Sequence, residues 1–359
     1  MLFTARRRDK QRPSLPERRK RRRLLPRVTM LVLLILGGIS IYWYVVARQV
    51  SEGYLAWVAA RQAEGWTISG AGPTLAGWPR IGGVAVAEFR IAGGEPDLPG
   101  GVSWQTDRLL VGLDLLHPDH VDVLASGVQR IGRQSGPGVA YTTELTRLRI
   151  PLRSPAPTAE LTVRALRAGA DGVAIGAAHA LIAADRMAGK AQAALSVNLD
   201  TQEIVLPPEV NWPLGRRIAS LSADAAVDGP IPPPRGFTAD ARAWRDGGGT
   251  VELRRVDLRW GPLDGSLSGT ASLDQDLQPV ASGTVRVSNY AEALDVLAAR
   301  RIIGGDAALA AKAVLSLLAS APAGGGPAQV EIPFTIRDRV VAARGIPLVK
   351  LPALQWPPP

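Results

Sequence analysis

Residues 251–288 read VELRRVDLRWGPLDGSLSGTASLDQDLQPVASGTVRVS, and this stretch decides the fold. It contains three strand-like runs, at 251–260, 266–273 and 282–288. The first two are separated by a five-residue turn at 261–265, Gly-Pro-Leu-Asp-Gly. Strands joined by turns this short pair as antiparallel neighbours, because a parallel pair needs a crossover of a dozen or more residues.

Working outward, a short helix is expected over 238–246, ended by Gly247, Gly248 and Gly249. Asn289 is placed to cap a helix over 290–302, and Asp306 to cap another over 307–320. A hairpin pairs 330–336 with 340–343 and turns at Asp338 and Arg339. Pro333 restricts the first of these strands to an edge or a bulge. The C-terminal residues 351–359 are extended and proline-rich.

Toward the N-terminus the strand-like text continues. Residues 84–91 follow a Gly-Trp-Pro-Arg turn at 77–80. Short alternating runs at 109–113 and 121–124 flank a turn expected at His117, Pro118 and Asp119. Residues 139–150 alternate as one long run, with Val139, Tyr141, Thr143 and Leu145 on one face. Further period-two runs occupy 161–164, 195–199 and 221–225. Breaks rich in Pro and Gly fall at 93–101, 154–158 and 229–236, with 324–327 as a further loop. Many strands with few helices between them favour an antiparallel meander over a doubly wound sheet.

Residues 28–47, VTMLVLLILGGISIYWYVVA, carry no charge. Twenty helical residues span roughly 30 Å, the thickness of a bilayer's hydrocarbon core. Eleven of them are Leu, Ile or Val, worth roughly −3 to −7 kcal/mol toward insertion. Tyr42, Trp43 and Tyr44 cluster at the far end, where amphipathic rings favour the headgroup layer. A helix over 49–63 continues from this segment and ends at Gly65.

The net charge of +10 is held entirely by residues 1–27, which contain twelve Lys/Arg and two acidic residues; the remaining 332 carry thirty of each sign. A nucleic-acid-binding domain places its basic surface on the folded part, so no nucleic-acid partner is expected. Basic residues before an apolar segment hold that side in the cytoplasm, which sends the bulk of the chain across. The same run can also bind anionic lipid. A cleaved signal peptide is the competing reading, since Val45-Val46-Ala47 loosely fits a cleavage site. The span is long for a signal h-region, and bulky aromatics stand beside the site.

The expected class is α+β and β-dominated: an N-terminal transmembrane helix, then a long, curved, mostly antiparallel sheet with a few packed helices. The expected divisions are a basic tail (1–27), the membrane helix (28–47), and β-rich halves at 48–228 and 237–359, or one continuous domain over 48–359. The expected place is a bacterial inner membrane, with residues 1–27 cytoplasmic and the bulk periplasmic.

Chemistry is sparse. The chain has no cysteine and three histidines. His117 and His120 flank Pro118 and Asp119 with no third ligand nearby, and His179 lies in an alanine-rich run. No nucleophile elbow, phosphate-binding loop or His-Glu-x-x-His motif occurs. The pairs Asp107/Asp114 and Asp274/Asp276 could be glycosidase-like carboxylates, but they read better as turn residues. Trp57, Trp66, Trp78, Trp104, Trp212, Trp244 and Trp260 read as core fillers or strand-end stacks, with lining of an apolar groove as the minority reading. No catalytic, cofactor-binding or metal-ligating residue is assigned, and no cofactor is expected.

Several stretches carry a resemblance: Trp260-Gly261-Pro262-Leu263, residues 269–274, Leu277-Gln278-Pro279, the 284–287 strand, Trp57 to Arg61, the Gly77-Trp78-Pro79 turn, and Ile346-Pro347-Leu348 with Leu351-Pro352. Together they resemble an uncharacterised bacterial envelope family, domain of unknown function 2125, from about residue 30 to the end. The family often has Asp-Gly where Asp338-Arg339 stands, and Phe where Trp78 stands. Its architecture is similar to AsmA-like envelope proteins, some of which are thought to carry lipid along a groove. The resemblance therefore implies a non-enzymatic, membrane-anchored protein that holds or moves lipid, with phospholipid as the expected partner, along its sheet. A scaffold that binds another envelope protein is the alternative, and an envelope hydrolase is the third reading. Fold alone does not choose among them.

Overall fold

The structure is a computed structural model and describes residues 21–94, 100–134, 136, 138–154, 158–169, 172–184, 193–229, 236–320 and 328–356. Most of the basic tail, the 324–327 loop and the interior of the 229–236 break lie outside the described residues.

Helix α1 (Arg21–Ala63) joins the apolar segment and the following amphipathic turns into one 43-residue helix. Gly65, at φ +89°, lets the chain turn back after it. Strands β1 (Thr67–Ser69) and β2 (Thr74–Ala76) both pair with β3 (Ile81–Gly93), end to end along the same side. From there the sheet grows by one neighbour at a time. The sequence is β4 (Val102–Asp114), β5 (His117–Gly132), the broken pair β6 (Val139–Thr142) and β7 (Leu145–Pro151), then β8 (Thr158–Ala168), β9 (Ala174–Ala184), β10 (Ala193–Val205) and β11 (Arg217–Asp228).

Helix α2 (Phe237–Asp246) intervenes, yet β11 pairs directly with β12 (Thr250–Trp260), so the sheet continues across the 229–236 break. Next come β13 (Leu263–Leu273) and β14 (Pro279–Ser288). Helices α3 (Tyr290–Ala299) and α4 (Gly305–Leu318) and the short β15 (Ala319–Ser320) precede β16 (Gln329–Arg337), which pairs back onto β14. Strands β17 (Val340–Ala343) and β18 (Ile346–Lys350) complete an 18-stranded sheet. Every pairing is antiparallel. Strand makes up 53% and helix 24%, so the β-dominated meander read from sequence is the fold observed.

Four local expectations are corrected. The turn expected at 117–119 lies at Leu115 and Leu116, and His117 already starts β5. The run 139–150 is two strands. Its alternation slips at Thr143 and Glu144, so Thr143 and Thr146 both reach Gln129 although their parity is opposite. Asn289 makes no side-chain cap; it sits at φ +56°, and its amide donates instead to Asp264. Asp306 falls inside the first turn of α4, and Gly304 takes the cap position. Pro333 lies within β16, where the outer neighbour is interrupted: β15 pairs 329–330 and β17 pairs 334–337. The restriction read from its missing N–H is met by this local edge.

The densest core lies where α1 crosses the first strands. Ile68, Val86, Phe89 and Leu109 are buried there, with Tyr54 and Val58 of α1 packed on them. Val46 and Ala47 are also buried. A β-carbon at Gly82 would lie 2.8 Å from Val46 Cγ1, so the absent side chain is what lets the helix pass so close.

Candidate functional site

The sequence-level candidates for chemistry resolve into structural roles. Asp107 accepts the Val128 N–H at 2.7 Å, opposite the bulge at Gly127. Asp114 accepts the Leu116 N–H at 3.0 Å and pairs with Arg80; these contacts hold its carboxyl below the usual range. The two aspartates lie seven residues apart on one strand, about 23 Å at 3.3 Å per residue. Glycosidase pairs stand about 5–10 Å apart. Asp274 accepts the N–H groups of Asp276 and Gln278 and so closes the β13–β14 turn. His120 makes an ion-pair contact with its neighbour Asp119. His179 lies exposed on β9, where its Nε2–H donates to Glu160 at 3.0 Å; with Arg149 nearby, this lowers the Glu160 pKa. Among the described residues, no group of three or more His, Asp and Glu is placed to hold a metal ion.

The tryptophans mark strand ends and helix crossings. Seven of the nine indoles donate a hydrogen bond, for example Trp260 to Gly215 O at 2.7 Å and Trp244 to Asp228 O at 3.1 Å. Trp212 and Trp260 pack edge to face at 6.3 Å. An indole tied by its N–H at a strand end acts as a stacking and pinning group.

Sequence reasoning missed a buried polar network. Gln129 is fully buried. Its amide donates to Thr143 at 2.9 Å and to Thr146 at 3.2 Å, and its oxygen accepts from Tyr141, which in turn accepts from Trp104. Every member has a partner, so the network fixes the break between β6 and β7 and leaves no polar atom free for a ligand. Gln129 follows the positive-φ Gly127 in β5, and that bulge was the one signal available.

The feature that sets this molecule apart is the sheet's apolar face. Val84, Val111, Val123, Leu148, Leu161 and Ala180 are successive register partners across β3, β4, β5, β7, β8 and β9. The row continues through Leu199, Ala223, Val256, Leu267, Val285 and Ile332 on β10 to β14 and β16. It crosses twelve strands without a polar side chain. At about 4.8 Å per strand it runs for roughly 50 Å. The neighbouring row, from Val86 and Leu109 to Val287 and Val330, has Thr146 and Thr201 as its polar members.

Side chains on the opposite face are polar over most of the sheet: Arg147, Thr162, His179, Asp200, Ser222, Asp257, Ser266, Arg286 and Glu331 form one row. Clefts on that face open between charged side chains such as Arg255, Asp257, Arg259 and Arg286.

Helix α1 covers the apolar face at its start. Beyond it, the principal helix–strand contacts among the described residues are α3 with β13 and α4 with β16. Over β5 to β12 the apolar row is only partly buried, and among the described residues no helix packs extensively on those strands. Sheets of this kind ordinarily bury such a face against a second layer.

One helix among the described residues is long and apolar enough to cross a membrane, and its apolar window is only 6% buried. Over residues 43–352 the chain matches a family described as uncharacterized protein conserved in bacteria (DUF2125), and it belongs to that family. No curated protein and no solved structure matches it.

Proposed function

We propose that this DUF2125 member is a membrane-anchored, non-enzymatic protein of the bacterial envelope that holds lipid acyl chains along the apolar face of its sheet. The observation that carries this reading is the twelve-strand apolar row, continuous with the face on which α1 packs and partly exposed over β5 to β12. An apolar strip this long is uncommon on a soluble monomer and marks a surface for an apolar partner. The twelve basic residues before the apolar segment support a cytoplasmic N-terminus in the inner membrane, with the sheet in the periplasm. The acidic residues read as catalytic candidates are engaged in turns, bulges and ion pairs, which supports a binding role.

A second reading, a scaffold that recruits another envelope protein by strand addition, rests on β18. All five of its residues are exposed, with Ile346 and Leu348 each at 65%, and no strand pairs with its outer side among the described residues. An open apolar edge of this kind is a template for another strand.

A photo-crosslinking residue placed at 199 or 348 in the full chain, irradiated in cells, separates the two. Lipid adducts at 199 support the lipid reading. A discrete protein adduct at 348 with no lipid at 199 supports the scaffold.

A further inference from the structure

The strand ends beside α1 lie at a depth that the helix itself would place in the membrane. The Trp43 indole donates to Ile81 O at 2.8 Å, and the Trp78 indole donates to Ser40 Oγ at 3.3 Å. Ser40 is seven residues before Ala47, the end of the uncharged segment, which is about 10 Å along the helix. A bilayer that took in all of residues 28–47 would therefore enclose the Trp78 loop.

The composition of this rim suits that place. Trp78 is 54% exposed, Leu116 77% and Leu152 55%. They come from three successive connections on one border of the sheet. Leu115 N–H donates to Arg80 O and Leu152 N–H to Asp119 O, which ties the three connections together. Tyr42 and Tyr44 of α1 are exposed at the same level, and Arg80 and Arg153 stand exposed beside the apolar tips. Exposed Trp and Leu interleaved with Arg and Tyr are matched to a layer that is apolar on one side and carries phosphate on the other.

We infer that the rim formed by Trp78, Leu116 and Leu152 is seated in the interfacial layer of the bilayer that α1 enters, which makes it a second membrane contact of the folded domain. The inference rests on the reading that α1 crosses the membrane. With the rim seated, Ile150 and Leu113, at the near end of the apolar face, stand directly above the lipid surface.

The natural chain has no cysteine, so single-cysteine variants need no background changes. The full chain is reconstituted in phosphatidylcholine–phosphatidylglycerol vesicles. A nitroxide is attached in turn to Leu34→Cys, Leu116→Cys, Leu152→Cys and Val210→Cys, and its collisions with oxygen and with a water-soluble nickel chelate are compared by electron paramagnetic resonance. Val210 lies in the connection after β10, at the opposite strand ends. The expected result is a deep position for 34, an interfacial one for 116 and 152 with oxygen favoured over nickel, and a water-like one for 210. Positions 116 and 152 matching 210 while 34 stays deep would overturn the rim contact and leave the anchor intact. A water-like 34 would overturn the anchor, and the rim contact with it.

Discussion

Gln129 shows how a polar residue can be part of a sheet's apolar face. Its carboxamide satisfies Tyr141, Thr143 and Thr146 at a site sealed from water. Replacing it with Leu leaves these hydroxyls short of partners. Gln129→Leu is therefore expected to lower the unfolding free energy by about 1–3 kcal/mol, read from denaturant midpoints. Glu160 is a different case, because it is partly exposed and paired with His179 and Arg149. Its folded pKa is lowered below the ordinary 4.5. Its contribution is therefore present above that ordinary value and is lost as pH falls through the lowered one. Glu160→Gln should cost at most about 1 kcal/mol at pH 7, and the difference from the natural chain should vanish in strong acid. A difference that persisted unchanged at low pH would show that the carboxylate charge is not what matters.

Among the elements, α1 is joined to the sheet by a close crossing at Gly82. A valine there would drive its side chain into Val46 and Leu115. Gly82→Val should destabilise the domain by about 1–3 kcal/mol through overpacking and release Trp43 from Ile81, visible as a shifted indole signal. The elements themselves were largely legible in the sequence. The Val251 to Ser288 meander, the helix after Gly236 and the hairpin at Asp338-Arg339 all appear, although the turn expected at 261–265 is confined to Gly261 and Pro262, so that β13 already begins at Leu263 and β14 at Pro279. That hairpin turns with both residues at positive φ, 52° and 64°, although neither is glycine. The register on either side specifies the turn strongly enough to override local preference. Other features were not legible. The slip at Thr143 and Glu144 depends on hydroxyls meeting Gln129 from another strand, which no period reveals. Asn289 looks like a cap because its type is right, but the αL backbone and the bond to Asp264 are tertiary outcomes.

At the scale of the whole molecule, period-two text established that each strand has an apolar and a polar side, but not that the apolar sides line up. Alignment depends on register, and one-residue bulges reset it. The bulge between Leu253 and Val256 keeps the parity matched from β12 to β13, so twelve strands present one apolar row. The partly exposed state of the row was not legible in the sequence and required the contacts. The account's central claim is that this row carries lipid. The direct measurement is native mass spectrometry, with organic extraction, of the full chain purified in mild detergent, for the natural sequence and for Leu199→Glu. Leu199 sits mid-row on β10, so a carboxylate there would have to be desolvated against an acyl chain. The account predicts stoichiometric lipid on the natural chain and its loss from Leu199→Glu, with the two proteins equally folded by circular dichroism. A natural chain free of lipid, or the same lipid retained by both, would contradict it.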